Sequence, residues 1–129
     1  MYIKCLNTLF DQALARDVFD KTWALDSGTE ITPNLLQAMV HSGSYLSGAF
    51  IDGKCVGAAF AFPATTGGLH LHSHMTAVLD GYRDQGVGYA LKMDQWHWAK
   101  KNDFSEISWT FDPLAVSYTH LTLPTILRV

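Results

Sequence analysis

Two periods of hydrophobic alternation run along the chain. Tyr2 to Leu6 (YIKCL) alternates at period two and predicts a short first strand. From Thr8 to Trp23, Leu9, Ala13, Val18 and Phe19 follow helical spacing, and Asn7 or Thr8 can cap the start. Ser27-Gly28 marks a loop. Thr32 followed by Pro33 opens a second helix to about His41, with Leu35, Leu36, Met39 and Val40 as its apolar face. Three strands are expected next. They are Tyr45 to Ile51, Lys54 to Phe62 after the hairpin signal Asp52-Gly53, and Leu69 to Val78 after a loop from Pro63 to Gly68. Leu79 to Gln85 reads as a loop. Gly86 to Lys101 predicts a long helix with Asn102 at its C-terminal end. Val87, Leu91 and Trp98 lie along one face of that helix, interrupted by Asp94. Glu106 to Phe111 predicts a last strand. The order β-α-α-β-β-β-α-β gives an antiparallel meander, then two strands joined by a helix. Such a crossover makes those two strands parallel, so the fold class is α+β with a mixed sheet.

Composition narrows the function classes. The 129 residues suit one domain, and 48% hydrophobic residues can build its core. Charged residues at 16% exclude a highly charged disordered protein. A net charge of −3 leaves no electrostatic footprint for nucleic acid. The longest apolar run, Val56 to Pro63, is far short of the ~18 residues of a membrane span. The start, MYIKCLN, lacks the apolar stretch of a signal peptide. Cys5 and Cys55 form no CxxC pair, so reduced thiols and a cytoplasmic location are expected, with a disulfide between them as the alternative.

Candidate chemistry concentrates where the third meander strand gives way to the long helix. Arg83-Asp84-Gln85-Gly86-Val87-Gly88-Tyr89 places two glycines at a helix start. The first-turn N–H groups lack intrahelical acceptors, and the helix dipole adds partial positive charge. Without Cβ atoms at Gly86 and Gly88, a phosphate can approach that backbone, and Arg83 adds a full charge. The bland alternative is an ordinary glycine-containing helix start. No Gly-Lys-Ser/Thr follows, so this is no P-loop, and no third glycine completes a dinucleotide fingerprint.

In this element order the segment resembles the acyl-CoA loop of the GNAT (Gcn5-related N-acetyltransferase) superfamily, R/Q-x-x-G-x-G/A. Arg83, Gly86 and Gly88 fill its defining positions. Val78 matches the hydrophobic residue closing the preceding strand, Tyr82 the aromatic before the arginine, and Leu91 the leucine one turn into the helix. The stretch from His72 to Ala99 and the following ISWTFDPL are similar to a bacterial and archaeal branch of predicted acetyltransferases, and the resemblance covers about Tyr2 to Leu114. It implies a GNAT fold and transfer of an acetyl or related acyl group from acyl-CoA to an amine of a small molecule or protein. Acetyl-CoA is the implied acyl donor, bound by Val78 and by the segment Arg83, Asp84, Gln85, Gly86, Val87, Gly88 and Tyr89, and no metal is implied. The backbone N–H at about Val78 would serve as the oxyanion donor. Pantetheine would enter a splay between the strands Leu69–Val78 and Glu106–Phe111. Two residues depart from the pattern: Asp80 stands where many members have proline, and Asp84 where many have glycine. The Asp84 carboxylate would lie near a diphosphate, weakened by salt screening.

The last stretch, Val116 to Thr125 (VSYTHLTLPT), resembles the translated read-through of a transposase-type sequencing adapter. Its alternative is a genuine edge strand over Leu121 to Val129, interrupted by Pro124. The expected division is a GNAT domain over residues 1–114 and an adapter-like tail over residues 115–129. Family members usually continue with another helix and two more strands. That helix often carries the tyrosine that protonates the leaving thiolate. The rival reading is therefore a catalytically incompetent, truncated CoA-binding remnant. Its open strand edges favour aggregation or a homodimer.

The attacking amine must be neutral, so a base is needed. His70, His72 and His74 alternate along one strand and should share a face. His74, nearer the acyl end, is the favoured base and His72 the second choice. Histidines merely packed in the strand and a metal site are the alternatives. Trp96, Trp98 and Trp109 are core or interface residues ahead of substrate platforms. Asp112 either lines the cleft or is a solvated loop carboxylate.

Overall fold

The structure, a computed structural model, describes residues 1–23 and 31–109, together with the backbone of residues 125–128. The elements run β1 (Tyr2–Cys5), α1 (Leu9–Thr22), α2 (Pro33–His41), β2 (Tyr45–Ile51), β3 (Lys54–Ala64), β4 (His70–Val78), α3 (Val87–Lys101), β5 (Glu106–Trp109) and β6 (Thr125–Arg128). They form one sheet ordered β1-β2-β3-β4-β5-β6. Every neighbouring pair is antiparallel except β4 with β5, the parallel pair joined across α3. The mixed sheet expected from the element order is what forms. Thr125–Arg128 adds a strand within the segment set apart from the domain, paired antiparallel with β5.

Local chemistry accounts for the boundaries. Thr8 Oγ1 accepts from the Asp11 amide at 3.1 Å and starts α1. Thr32 Oγ1 accepts from the Leu35 amide at 3.2 Å, with Pro33 in the first helical turn. Asp52 and Gly53 both hold positive φ, 51° and 79°, as a tight hairpin turn requires. β3 runs two residues further than expected, through Pro63 to Ala64, in register with Leu71 and His70.

The sheet buries both faces. α1 and α2 cover one, where Val18, Phe19, Leu36, Leu46, Phe60 and Met75 pack. α3 covers the other, where Val56, Ala59, Leu71, Val87, Leu91 and Ile107 pack. The fully buried residues of α3 are Val87, Leu91, Gln95 and Ala99, and Trp98 packs against the same cluster as Val87 and Leu91, on the face expected for it. Trp98 is half-buried, edge-on to Tyr45 and stacked with Phe104. Asp94 does not turn to solvent: it accepts from the Tyr45 hydroxyl at 2.6 Å and from Ser47 Oγ at 3.3 Å. Small residues on β3 let α3 settle closely. A Cβ on Gly57 would stand 2.9 Å from Val87 Cγ1 and 3.1 Å from Leu91 Cδ1.

Candidate active site

β4 carries one register shift. Phe60 pairs with Met75 and Ala61 with Ser73, so His74 is an extra residue, a β-bulge. The bulge reverses which side chains face which helix layer. Leu71 packs in the α3 layer, whereas Met75 and Ala77 pack in the α1/α2 layer.

Just before the bulge, the described ladder to β5 also ends. The parallel ladder consists of Leu71 with Ile107 and His72 with Ser108. From Ser73 to Val78, β4 has no ladder partner on the β5 side among the described residues. Leu79 N donates to Val56 O at 2.8 Å, towards β3. Successive amides alternate, so the Val78 N–H and C=O point to the opposite, open side. The Val78 carbonyl accepts from Arg83 Nε at 3.1 Å. On the same stretch, the buried Thr76 Oγ1 has no hydrogen-bond partner.

The loop beyond Val78 closes on itself. Tyr82 N donates to Leu79 O at 3.1 Å and Gln85 N to Tyr82 O at 3.3 Å. Arg83 folds back: besides its bond to Val78 O, its Nη1 lies 3.1 Å from Asp80 Oδ1. Its guanidinium thereby fastens the end of β4, and only the exposed remainder is open to an anion. Gly86 is the N-cap of α3, left-handed at φ 75°, and no side chain caps it. The first-turn amides of Val87, Gly88 and Tyr89 follow. Gly88 sits beside β4, where a Cβ would lie an ordinary 3.9 Å from Val78 Cγ2. Val87 is buried, while Asp84, Gln85 and Tyr89 are exposed. An uncapped helix start beside an unpaired strand edge can take an anion at one end and an extended, amide-bearing chain along the other. The residues present therefore fit the diphosphate and pantetheine of CoA.

The histidines divide. His72 is half-buried, with Nδ1 3.1 Å from Ser108 Oγ and its ring 5.4 Å from Phe62. Burial, then the neighbouring His74 and His70, push its pKa below the ordinary value. His74 is exposed at the bulge, its ring 5.6 Å from Phe62 and 6.1 Å from Phe60. His70 Nδ1 is 2.8 Å from Gly68 O. Among the described residues no group of three or more His, Cys, Asp or Glu side chains is placed to hold a metal. Asp112 lies outside the described residues.

Three residues at this site escape a reading of the sequence. Ser108 matters only through its register with His72. Lys92 Nζ donates to Ser73 Oγ at 2.9 Å and stands 5.3 Å from the centre of the Trp109 ring. Burial lowers its pKa from 10.5 to about 8. Thr76 signals itself only by its unpartnered hydroxyl. A helical lysine and a strand threonine are ordinary surface signals, so no motif could have singled them out.

The family model describing the acetyltransferase (GNAT) family matches residues 8–117. An aminoglycoside acetyltransferase from an uncultured soil metagenomic sample, solved with sisomicin, superposes at a TM-score of 0.79 and 17% identity, covering 92% of this chain and 82% of that one. A GNAT family acetyltransferase from Brucella melitensis in complex with acetyl-CoA gives 0.73 and 15%, covering 98% and 86%. The ribosomal-protein-S18-alanine N-acetyltransferase of Escherichia coli gives 0.72 and 14%, covering 92% and 72%. At such identities the likeness speaks for the fold. No curated protein matches the chain by sequence.

Proposed function

Because the chain belongs to the GNAT acetyltransferase family, we propose that it moves an acetyl or related acyl group from acyl-CoA to the amine of a small molecule or protein. The observation that carries the reading is the uncapped, left-handed glycine start of α3 opening beside the edge of β4 that is unpaired among the described residues. Acyl-CoA supplies an activated thioester carbonyl. The amides of Gly86, Val87, Gly88 and Tyr89 hold its diphosphate, and the exposed end of Arg83 adds charge. Asp84 and Gln85 flank that cradle. The open β4 edge takes the pantetheine amides in the manner of an added strand. Support for the donor comes from the Brucella relative solved with acetyl-CoA.

The Val78 N–H points into the slot beside the cradle and binds a pantetheine amide, rather than serving the oxyanion, because the thioester lies further along β4. His72 takes the proton from the attacking amine. Its lowered pKa keeps the imidazole neutral at pH 7, and Ser108 fixes the ring. This reverses the preference for His74, whose exposed ring is left to line the acceptor's approach beside the half-buried Phe62. The acceptor enters from the α1/α2 face, where these rings lie. Relatives of this fold act on aminoglycosides and on a ribosomal-protein alanine, so both amine types belong in the trial. A cytoplasmic location remains part of the proposal.

The test has two arms. Acetyl-CoA should raise the melting temperature of the purified chain, because a ligand that binds only the folded state stabilises it. Thiol release with acetyl-CoA should then appear with an aminoglycoside or an N-terminal alanine peptide. A folded sample with no thermal shift would overturn the reading.

A further inference from the structure

Lys92 reaches from α3 onto the sheet just beyond the last described rung between β4 and β5. Ser73, which accepts from its Nζ, and Trp109, whose ring lies beneath it, directly follow the last in-register pair, His72 and Ser108. The ammonium therefore stands at the closed end of the slot. A hydroxyl and an aromatic face are poor compensation for a charge drawn out of water. Asp94, on the same helix, binds Tyr45 and Ser47 of β2, and His72 of β4 binds Ser108. Burial is the cause that lowers the Lys92 pKa.

The distance to the cradle suits the donor. Gly88 abuts Val78, and from Val78 back to Ser73 the strand covers roughly 15 Å at ~3.3 Å per residue. An extended pantetheine arm is about as long as four or five extended residues. A donor anchored at Gly86 and Gly88 brings its sulfur to the closed end.

Resting on the acyl-CoA reading, we propose that the Lys92 ammonium stabilises the leaving thiolate of CoA and gives it a proton. The amine nitrogen forms its bond to the carbonyl carbon as the carbon–sulfur bond breaks, and that electron pair goes to sulfur. Lys92 Nζ protonates the sulfur. His72 takes the proton the nitrogen loses, and exchange with water resets both groups.

The test reads the product complex rather than turnover. Free CoA is bound to the full chain, and its thiol is titrated by thiolate ultraviolet absorbance, with the desulfo-CoA complex as blank. In the wild type the bound thiol should titrate at least one pH unit below free CoA, a tenfold change in acidity. Lys92→Met should lose that shift while keeping the thermal stabilisation by CoA. Lys92→Gln, which keeps a polar end on Ser73, takes its place if Lys92→Met does not fold. Equal thiol titration in wild type and variant overturns the role of Lys92 and leaves the acyl-CoA reading standing. A wild type that CoA does not stabilise overturns the acyl-CoA reading, and this proposal with it.

Discussion

His72 and Ser108 face each other in register across the parallel pair of β4 and β5, with Nδ1 3.1 Å from Oγ. The contact sits on the last described rung of the pair, so it fixes the ring where, on the proposed reading, an acceptor amine meets the slot. His72→Gln should lower kcat/KM by about 10²- to 10⁴-fold, the usual contribution of a positioned base. His74→Gln should cost much less. Steady-state rates with a fixed acceptor compare the two. Equal losses would return the base to His74.

The same histidine carries a pH signature in stability. Its folded-state pKa lies below the ordinary 6.5, so the unfolded chain binds the proton more readily. This contribution is fully present above about pH 6.5, and it declines as pH falls from there towards the folded value. Denaturant midpoints measured from pH 7.5 down to 5 should fall less steeply in His72→Gln than in the wild type. Identical slopes would show that the ring is not desolvated.

Gly86 and Gly57 test the cradle in different ways. An alanine at Gly86 meets no neighbouring atom but must hold φ 75°, at a cost of about 1–2 kcal/mol. The helix start should shift, and the thermal response to acetyl-CoA should shrink or vanish. Gly57→Ala acts from beneath. Its Cβ would press on Val87 and Leu91, and on Ala77 O at 3.2 Å. Overpacking of this kind costs about 1–3 kcal/mol. Urea midpoints and acetyl-CoA titrations of both variants separate lost stability from lost binding.

Much of this was legible in the sequence where short-range chemistry decides. Thr32-Pro33, Asp52-Gly53 and Gly86 each announce a boundary through φ preference or capping, and the structure sets its boundaries there. The parallel pairing followed from a strand–helix–strand order. Long-range registration was not legible. The bulge at His74 depends on how Phe60 and Ala61 pair, and no residue of β4 signals it. Ser108 joins the site only because β5 pairs with β4 at that rung. Asp94 read as an interruption of an apolar stripe because its partners, Tyr45 and Ser47, lie three elements earlier.

Lys92 should oppose folding in the neutral range. Its pKa falls from 10.5 to about 8 through burial, so between those values the unfolded chain binds more protons than the folded one. Stability contributed by this group therefore rises as pH climbs from about 8 to 10.5, and the penalty is fully present below 8. Lys92→Met keeps an unbranched side chain one atom shorter and removes the charge. At pH 7 it should stabilise the fold by about 1–2 kcal/mol, discounted for the side chain's partial exposure. The advantage should fade as pH approaches 10. A cation retained against its own folding cost is what a charge-stabilising role in the slot requires. Chemical denaturation of wild type and Lys92→Met at pH 7 and pH 9.5 checks the sign. A variant less stable at pH 7 would mean that the Ser73 and Trp109 contacts outweigh the burial of charge.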